Sequence, residues 1–247
     1  MKINYISPDD TGKQSVLNTY ISLIIALLFS ATAAHAELTT DHPDWKLALE
    51  KDGVEIYTRP YENSDIEAFK AVALLNAPLN NIMAVMANPN SCTEWVHGCT
   101  VSYGFDEASF NSRYAYSVND LPWPVKDRDY VLKLTTWTSK ESGHIMLEMH
   151  AVPERKPIAD DYQRVTVANT LYEFIPEGDK TKLIWLQHTE PAGVLPGWLV
   201  NALLVDIPYK SLKKLEEVAM WPAYQGHEIT HDENGQVTGV RKVTVEN

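Results

Sequence analysis

Apolar and polar residues alternate along most of this chain, with helical spacing breaking in only near its two ends. Residues 54–58 alternate as a strand after the Asp52-Gly53 turn, and residues 66–75 form a second strand closed by Asn76-Ala77-Pro78. The period then lengthens. Leu79, Ile82, Met83, Val85 and Met86 predict a helix over 79–86 that stops at Asn88-Pro89-Asn90. Further strands are predicted at 100–105, 110–118, 128–137, 144–152, 163–174 and 181–189. Only turns or loops separate them, so they must pair antiparallel. Upstream, the acid-capped stretch Asp41-His42-Pro43-Asp44-Trp45 predicts a short helix carrying Trp45, Leu47 and Leu49.

Leu195-Pro196 opens the last large helix, since a proline at a helix start removes an N–H that has no partner there anyway. Trp198, Ala202, Val205, Tyr209, Leu212, Leu215 and Ala219 form its apolar stripe, and Pro208 should kink it near the middle. A stripe of that length has to be buried, and the concave side of the sheet is the only partner large enough. The fold class is therefore α+β: a long curved antiparallel sheet wrapped around a long C-terminal helix, with room for a hydrophobic tunnel between them. Residues 222–247 form an extension. There Asp232-Glu233-Asn234-Gly235 predicts the turn of a hairpin.

Strand period two assigns faces. On 110–118, Phe110, Ser112, Tyr114, Tyr116 and Val118 oppose Asn111, Arg113, Ala115 and Ser117, and the aromatic set is expected to face inward. Tyr130, Leu132, Leu134 and Thr136 share the inner face of the next strand, followed by Ile145, Leu147 and Met149. That face is apolar with a few hydroxyls, which suits either a lipid-like ligand or a solid core. A cavity under about 200 Å³ would indicate the solid core.

The chain has 247 residues and a net charge of −12. An acidic surface disfavours nucleic acid and charge-driven binding to anionic membranes. The apolar run at 21–34 is uncharged and shorter than the roughly 20 residues needed to cross a bilayer. With Lys13 upstream and Ala34-His35-Ala36 after it, residues 1–36 read as an export signal cleaved near Ala36. A periplasmic or secreted location follows, with 37–221 as the folded domain. In that compartment Cys92 and Cys99 are a plausible disulfide, with a redox pair as the alternative.

Several motifs carry possible chemistry. Leu121-Pro122-Trp123-Pro124 is a stiff loop bearing a large ring, either a lid or membrane wedge or else a core plug. Arg128 and Asp129 beside it read as loop-pinning groups, bonded to backbone or to each other. His227-Glu228-Ile229-Thr230-His231 spells H-E-x-x-H, a zinc motif only on a helix. Its surroundings predict a strand, where the two imidazoles would lie about 13 Å apart, too far to share a metal. His188 and Glu190 share a strand face and could form an acid–base pair. Asp206 is expected to partner a sheet donor. No Gly-x-Ser-x-Gly elbow or phosphate-binding glycine loop is present.

An ordered set of segments resembles the START domain, the lipid-transfer module named after steroidogenic acute regulatory protein. It comprises Asp52-Gly53-Val54-Glu55-Ile56-Tyr57, Glu94-Trp95, Pro124 with Arg128-Asp129-Tyr130-Val131, Arg164, Thr181-Lys182-Leu183-Ile184-Trp185-Leu186 and the 193–201 segment, spread over about 45–219. The resemblance implies a helix-grip fold, a ligand tunnel and a mobile loop at its mouth, corresponding to 119–127. The buried acid and arginine of sterol-carrying members would fall near Tyr114 and Leu134, so no buried ion pair is expected there. The cationic and aromatic site of choline-lipid binders has no clear counterpart.

Taken together, these readings predict a non-catalytic, exported monomer that carries a lipid and touches membranes transiently, without cofactor or metal. Its expected ligand contacts are Ser112, Tyr114, Tyr116, Trp123, Leu132, Leu134, Thr136, Leu147, Met149, Gln187, Trp198, Ala202, Val205 and Tyr209. The rival is a cyclase/aromatase-like or hydrolase-like enzyme in the same tunnel. Polar groups converging inside, such as His188 or His150 with an acid, would favour it.

Overall fold

A computed structural model describes residues 38–193 and 195–243. Residues 1–36, expected to be an export signal, lie outside the described residues. The strands are β1 (Lys46–Lys51), β2 (Val54–Arg59), β3 (Ala68–Leu75), β4 (Cys99–Ser109), β5 (Ser112–Asn119), β6 (Arg128–Thr138), β7 (Ile145–Ala151), β8 (Gln163–Arg164), β9 (Val167–Glu177) and β10 (Lys180–Glu190). They form one sheet in the order β1-β2-β3-β10-β9-β7-β6-β5-β4; the strand expected over 163–174 is split, and its short first piece, β8, pairs with β6 in parallel, against the antiparallel expectation. Helices α1 (Leu79–Ala87) and α2 (Cys92–Trp95) bridge from β3 at the sheet's middle to β4 at its far edge.

The start of the domain corrects one expectation. Residues 46–51 are a strand, not a helix, because Lys46 to Lys51 pair with β2 along the sheet edge. Trp45 instead covers that edge, with the Arg59 guanidinium 5.0 Å and the Lys70 ammonium 5.4 Å from its ring.

The last helical element consists of α3 (Gly197–Asn201), a wider π-helical turn at Ala202–Asp206 and α4 (Ile207–Val218). Pro208 has no N–H to donate. Just before it the ladder slips by one residue, and the Ile207 N–H bonds the Ala202 carbonyl, five positions back. This slip explains a second correction. Leu212, Leu215 and Ala219 are fully buried, as the stripe requires. Within and upstream of the π turn the spiral is offset by one residue, so the inward positions move to Leu199, Val200, Leu203 and Leu204. Trp198 is left 58% exposed, and Asp206 is also exposed rather than partnering the sheet.

The core lies between the concave sheet face, α1 and α4. It includes Ile56, Ala71, Phe174 and Leu183 from strands, Ile82 and Met83 from α1, and Leu212 and Leu215 from α4. The C-terminal extension forms a hairpin of β11 (His227–His231) and β12 (Val237–Lys242). The Asp232 carboxylate accepts from the Asn234 and Gln236 N–H groups in its turn. The hairpin docks by Val237, which is fully buried, and by hydrogen bonds of Asn111 and Thr138 to Val237. H-E-x-x-H therefore lies on a strand.

Candidate functional site

On the concave side of the sheet lies a cavity of two lobes, one of about 150 Å³ under the last helix and one of about 120 Å³ under the α1–α2 segment. They share Cys92, Val96, Ser117, Leu132, Met149 and Tyr172 as a common waist. Each lobe alone falls below the bound set for a solid core, and only the two joined at this waist exceed it. The upper lobe runs between Phe69, Trp185 and Gln187 on the sheet and Val200, Leu203, Leu204 and Ile207 on the helix. It reaches Asn119, at the foot of the 119–127 loop, and Pro191. The deeper lobe continues past Leu134 and Leu147 to Met86 and Arg113.

Strand register explains the wall. Ser117 pairs with Tyr130, Ala115 with Leu132, Leu134 with Met149, and Thr170 with Gln187, so these side chains share one face. Of the expected contacts, Leu132, Leu134, Leu147, Met149 and Gln187 lie in this wall. Thr136 sits beneath it, bonded to Arg113 at 3.0 Å. Arg113 also donates to the Met86 and Phe110 carbonyls, which makes a polar floor.

Strand β5 is inverted relative to expectation. Its inward residues are Arg113, Ala115, Ser117 and Asn119, while Ser112 and Tyr116 lie outside the lining. Tyr114 borders the deeper lobe, but its ring lies under the Arg155 guanidinium, 4.3 Å away. The aromatic alternation misleads because the outer face of the sheet is covered too. Tyr116, Val118 and Val131 form a second small core there, packed against Val101, Phe105, Val152 and Tyr162. Alternation identifies two faces but cannot tell inner from outer when both are buried.

That outer core holds a buried ion pair, which the sequence reading did not foresee. Asp129 is 0% and Arg164 3% exposed, with Nη2 and Nε of Arg164 donating to Asp129 at 2.8 and 3.0 Å. The Tyr116 hydroxyl donates to the same carboxylate oxygen at 3.2 Å. Burial, then the neighbouring Asp129 charge, pushes the Tyr116 phenol well up. Arg164 also bonds the carbonyls of Pro153, Lys156 and Pro157, clamping the 153–163 segment over the sheet. Asp129 and Arg128 do not bond each other. Arg128 donates instead to the Pro191 and Ala192 carbonyls at 2.7 and 2.6 Å and to the Lys126 carbonyl. It pins the 119–127 loop to the segment that leads into α3.

In that loop Leu121 is buried and Trp123 is 91% exposed. The leucine is the anchor, and the core-plug reading of Trp123 is excluded. Trp198 and Trp123 both lie outside the cavity lining, as do Ala202, Val205 and Tyr209, whose hydroxyl donates to Asp52 at 2.6 Å. Cys92 and Cys99 are joined as a disulfide, with Cys92 at the cavity waist.

His188 is on the outer side of β10, opposite to Gln187 and Thr189. It is 2% exposed and stacked on Tyr61 at 3.7 Å, with Nε2 3.1 Å from Ser64 Oγ and 3.3 Å from Glu190. Burial lowers its pKa, opposed by the Glu190 charge. His150 is half exposed between Glu148 and Asn169, again outside. The lining of both lobes contains no Asp, Glu or His among the described residues.

A curved antiparallel sheet gripping a broken helix, with an apolar cavity between, defines a helix-grip protein. The START domain model matches residues 29–218, and the chain belongs to that family. An uncharacterised Pseudomonas aeruginosa protein is 30% identical over 71% of this chain and 87% of its own length. The STAR-related lipid transfer protein of Xanthomonas axonopodis superposes with a TM-score of 0.66 at 28% identity, over 72% of this chain and 99% of that one. Human STARD10 superposes at a TM-score of 0.63 with 19% identity, over 87% of this chain and 81% of that one. The curated human START domain-containing protein 10 is 22% identical over 76% of this chain, which spans 65% of its length.

Proposed function

We propose that this protein binds one hydrophobic molecule in the two-lobed cavity and carries it through water, without catalysing a reaction. The observation that supports this most directly is the wall itself: apolar side chains, isolated neutral polar groups and the hydrogen-bonded Arg113, with His188 and His150 turned away. General acid–base catalysis needs a titrating group within hydrogen-bond reach of the substrate, and no carboxylate or imidazole lines either lobe. Each buried CH₂ contributes about 0.8 kcal/mol, so a modest acyl chain or ring system supplies useful affinity. The name of the Xanthomonas relative, a lipid transfer protein, agrees with this reading.

Exchange would take place where the 119–127 loop meets the helix start. Trp123 and Trp198 are large exposed rings on those two segments, suited to transient membrane contact by apolar insertion rather than by charge. The apolar run at 21–34 and the Cys92–Cys99 bridge support action in the periplasm or outside the cell. The test is native mass spectrometry of the purified protein before and after organic extraction, followed by rebinding from a lipid panel. A co-purifying lipid lost on extraction is expected. Absence of any lipid, together with no rebinding, would refute carriage.

A further inference from the structure

Resting on that reading, we propose that the ligand is an uncharged lipid whose polar group is a hydroxyl or carbonyl oxygen, received in the upper lobe by the Tyr172 and Tyr130 hydroxyls. Tyr172 is 3% exposed, lines both lobes and has no hydrogen-bond partner among the described residues. Tyr130 lines the upper lobe and likewise has none. Tyr130 is only partly buried, and a hydroxyl that faces a cavity without a protein partner takes one from water or from a ligand. These two open on a cavity large enough to supply the partner.

The neighbouring groups define what that partner can be. Gln187 is already fixed: its Oε1 accepts from Trp185 Nε1 at 3.1 Å and Thr170 Oγ1 at 3.2 Å, and its Nε2 donates to Thr189 at 3.1 Å. Since an indole nitrogen only donates, the amide orientation is set. Burial pushes the Tyr130 phenol up to about 12 and the Tyr172 phenol higher still, so both remain neutral O–H donors. Each can donate to an oxygen on the ligand and accept from a hydroxyl, which suits an alcohol or a carbonyl.

No lining residue of the upper lobe is ionisable to a charge near neutral pH. A carboxylate or phosphate entering it would lose its hydration with no cation in exchange, so the site selects neutral head groups. A fatty acid would enter as the protonated acid. Arg113, the only charged residue in the wall among the described residues, belongs to the deeper lobe, where it donates to two carbonyls and to Thr136.

Two ligand series test this at fixed skeleton. One is hexadecane, hexadecanol, hexadecanoic acid and hexadecyl phosphate; the other is cholestane, cholestanol and cholestanol sulfate. Each is titrated against the full chain and against Tyr172→Phe. Within the series that binds, the alcohol should bind about tenfold tighter than the hydrocarbon and than the charged analogue, as one made hydrogen bond implies. Tyr172→Phe should remove about five- to tenfold of the alcohol's affinity, leave the hydrocarbon's unchanged and keep thermal stability at or above that of the parent. Hexadecanoic acid should bind more tightly at pH 5 than at pH 8. Equal binding of charged and neutral analogues, or equal losses for alcohol and hydrocarbon in the variant, would overturn the inference while leaving carriage intact. If no member of either series binds, the inference falls; carriage falls with it only when the purified protein also holds no extractable lipid.

Discussion

The clamp between Asp129 and Arg164 allows a quantitative prediction, because both partners are buried and the geometry separates them from the cavity. Arg164→Met removes two donors from Asp129 and three from the carbonyls of Pro153, Lys156 and Pro157. The carboxylate would then keep only the Tyr116 hydroxyl, at 3.2 Å. Leaving a buried charge without its partner costs about 3–5 kcal/mol. For a domain of this size, with about 2–4 °C of melting temperature per kcal/mol, the expected drop is about 6–20 °C. Replacing both partners, Asp129→Leu with Arg164→Met, should recover at least half of that loss, because the unpaired charge is gone. Urea unfolding gives the free energies, and ligand titration of the still-folded variants gives the affinity. That affinity should stay within about twofold of the parent, since Asp129 and Arg164 are absent from the lining of either lobe. A single-variant loss below about 1 kcal/mol, the range of an exposed pair, would refute the clamp. Equal losses in the single and double variants would refute the uncompensated charge as its cause.

The other predictions need less development. Trp123→Ala should change unfolding free energy by no more than about 0.5 kcal/mol, since the ring is exposed, while slowing lipid transfer between vesicles; normal transfer would argue against a membrane wedge. His188 is held below its ordinary pKa of 6.5 by burial, so its stabilisation is present above pH 6.5 and declines as pH falls through the lowered value. His188→Gln should flatten the acid limb of a stability-against-pH curve, and parallel curves for parent and variant would count against this role. Val237→Ala removes two buried methyls from the hairpin's docking residue and should cost about 2 kcal/mol in a single unfolding transition. A separate hairpin transition would show that the extension folds apart from the domain.

The strands from 99 to 190 were legible because period-two alternation between turn residues is a local signal. The same holds for α1, which its apolar positions and Asn88-Pro89 delimit. The hairpin turn was legible too, because the Asp232 carboxylate bonds within its own loop. Other features depended on contacts made at a distance. Residues 46–51 became a strand only by pairing with β2, and β3 settled beside β10, more than a hundred residues away. The inward face of β5 could not be read from its aromatics, because the 153–164 segment buries the other face as well. The first half of the helix stripe was misplaced because the spacing assumed one period, while Pro208 forced a π turn and shifted the register by one residue.

The sequence by itself determined most strands of the main sheet with their antiparallel pairing, α1 and the hairpin turn, since each follows from local spacing or turn chemistry. It also carried the family resemblance. Only the tertiary structure decided which tyrosines face the cavity, that His188 points away from it, and that the acid near the loop is clamped by Arg164. Those outcomes turn on which of two faces a neighbouring element happens to cover. A strand's own residues record that there are two faces, and the covering element, distant in sequence, selects between them.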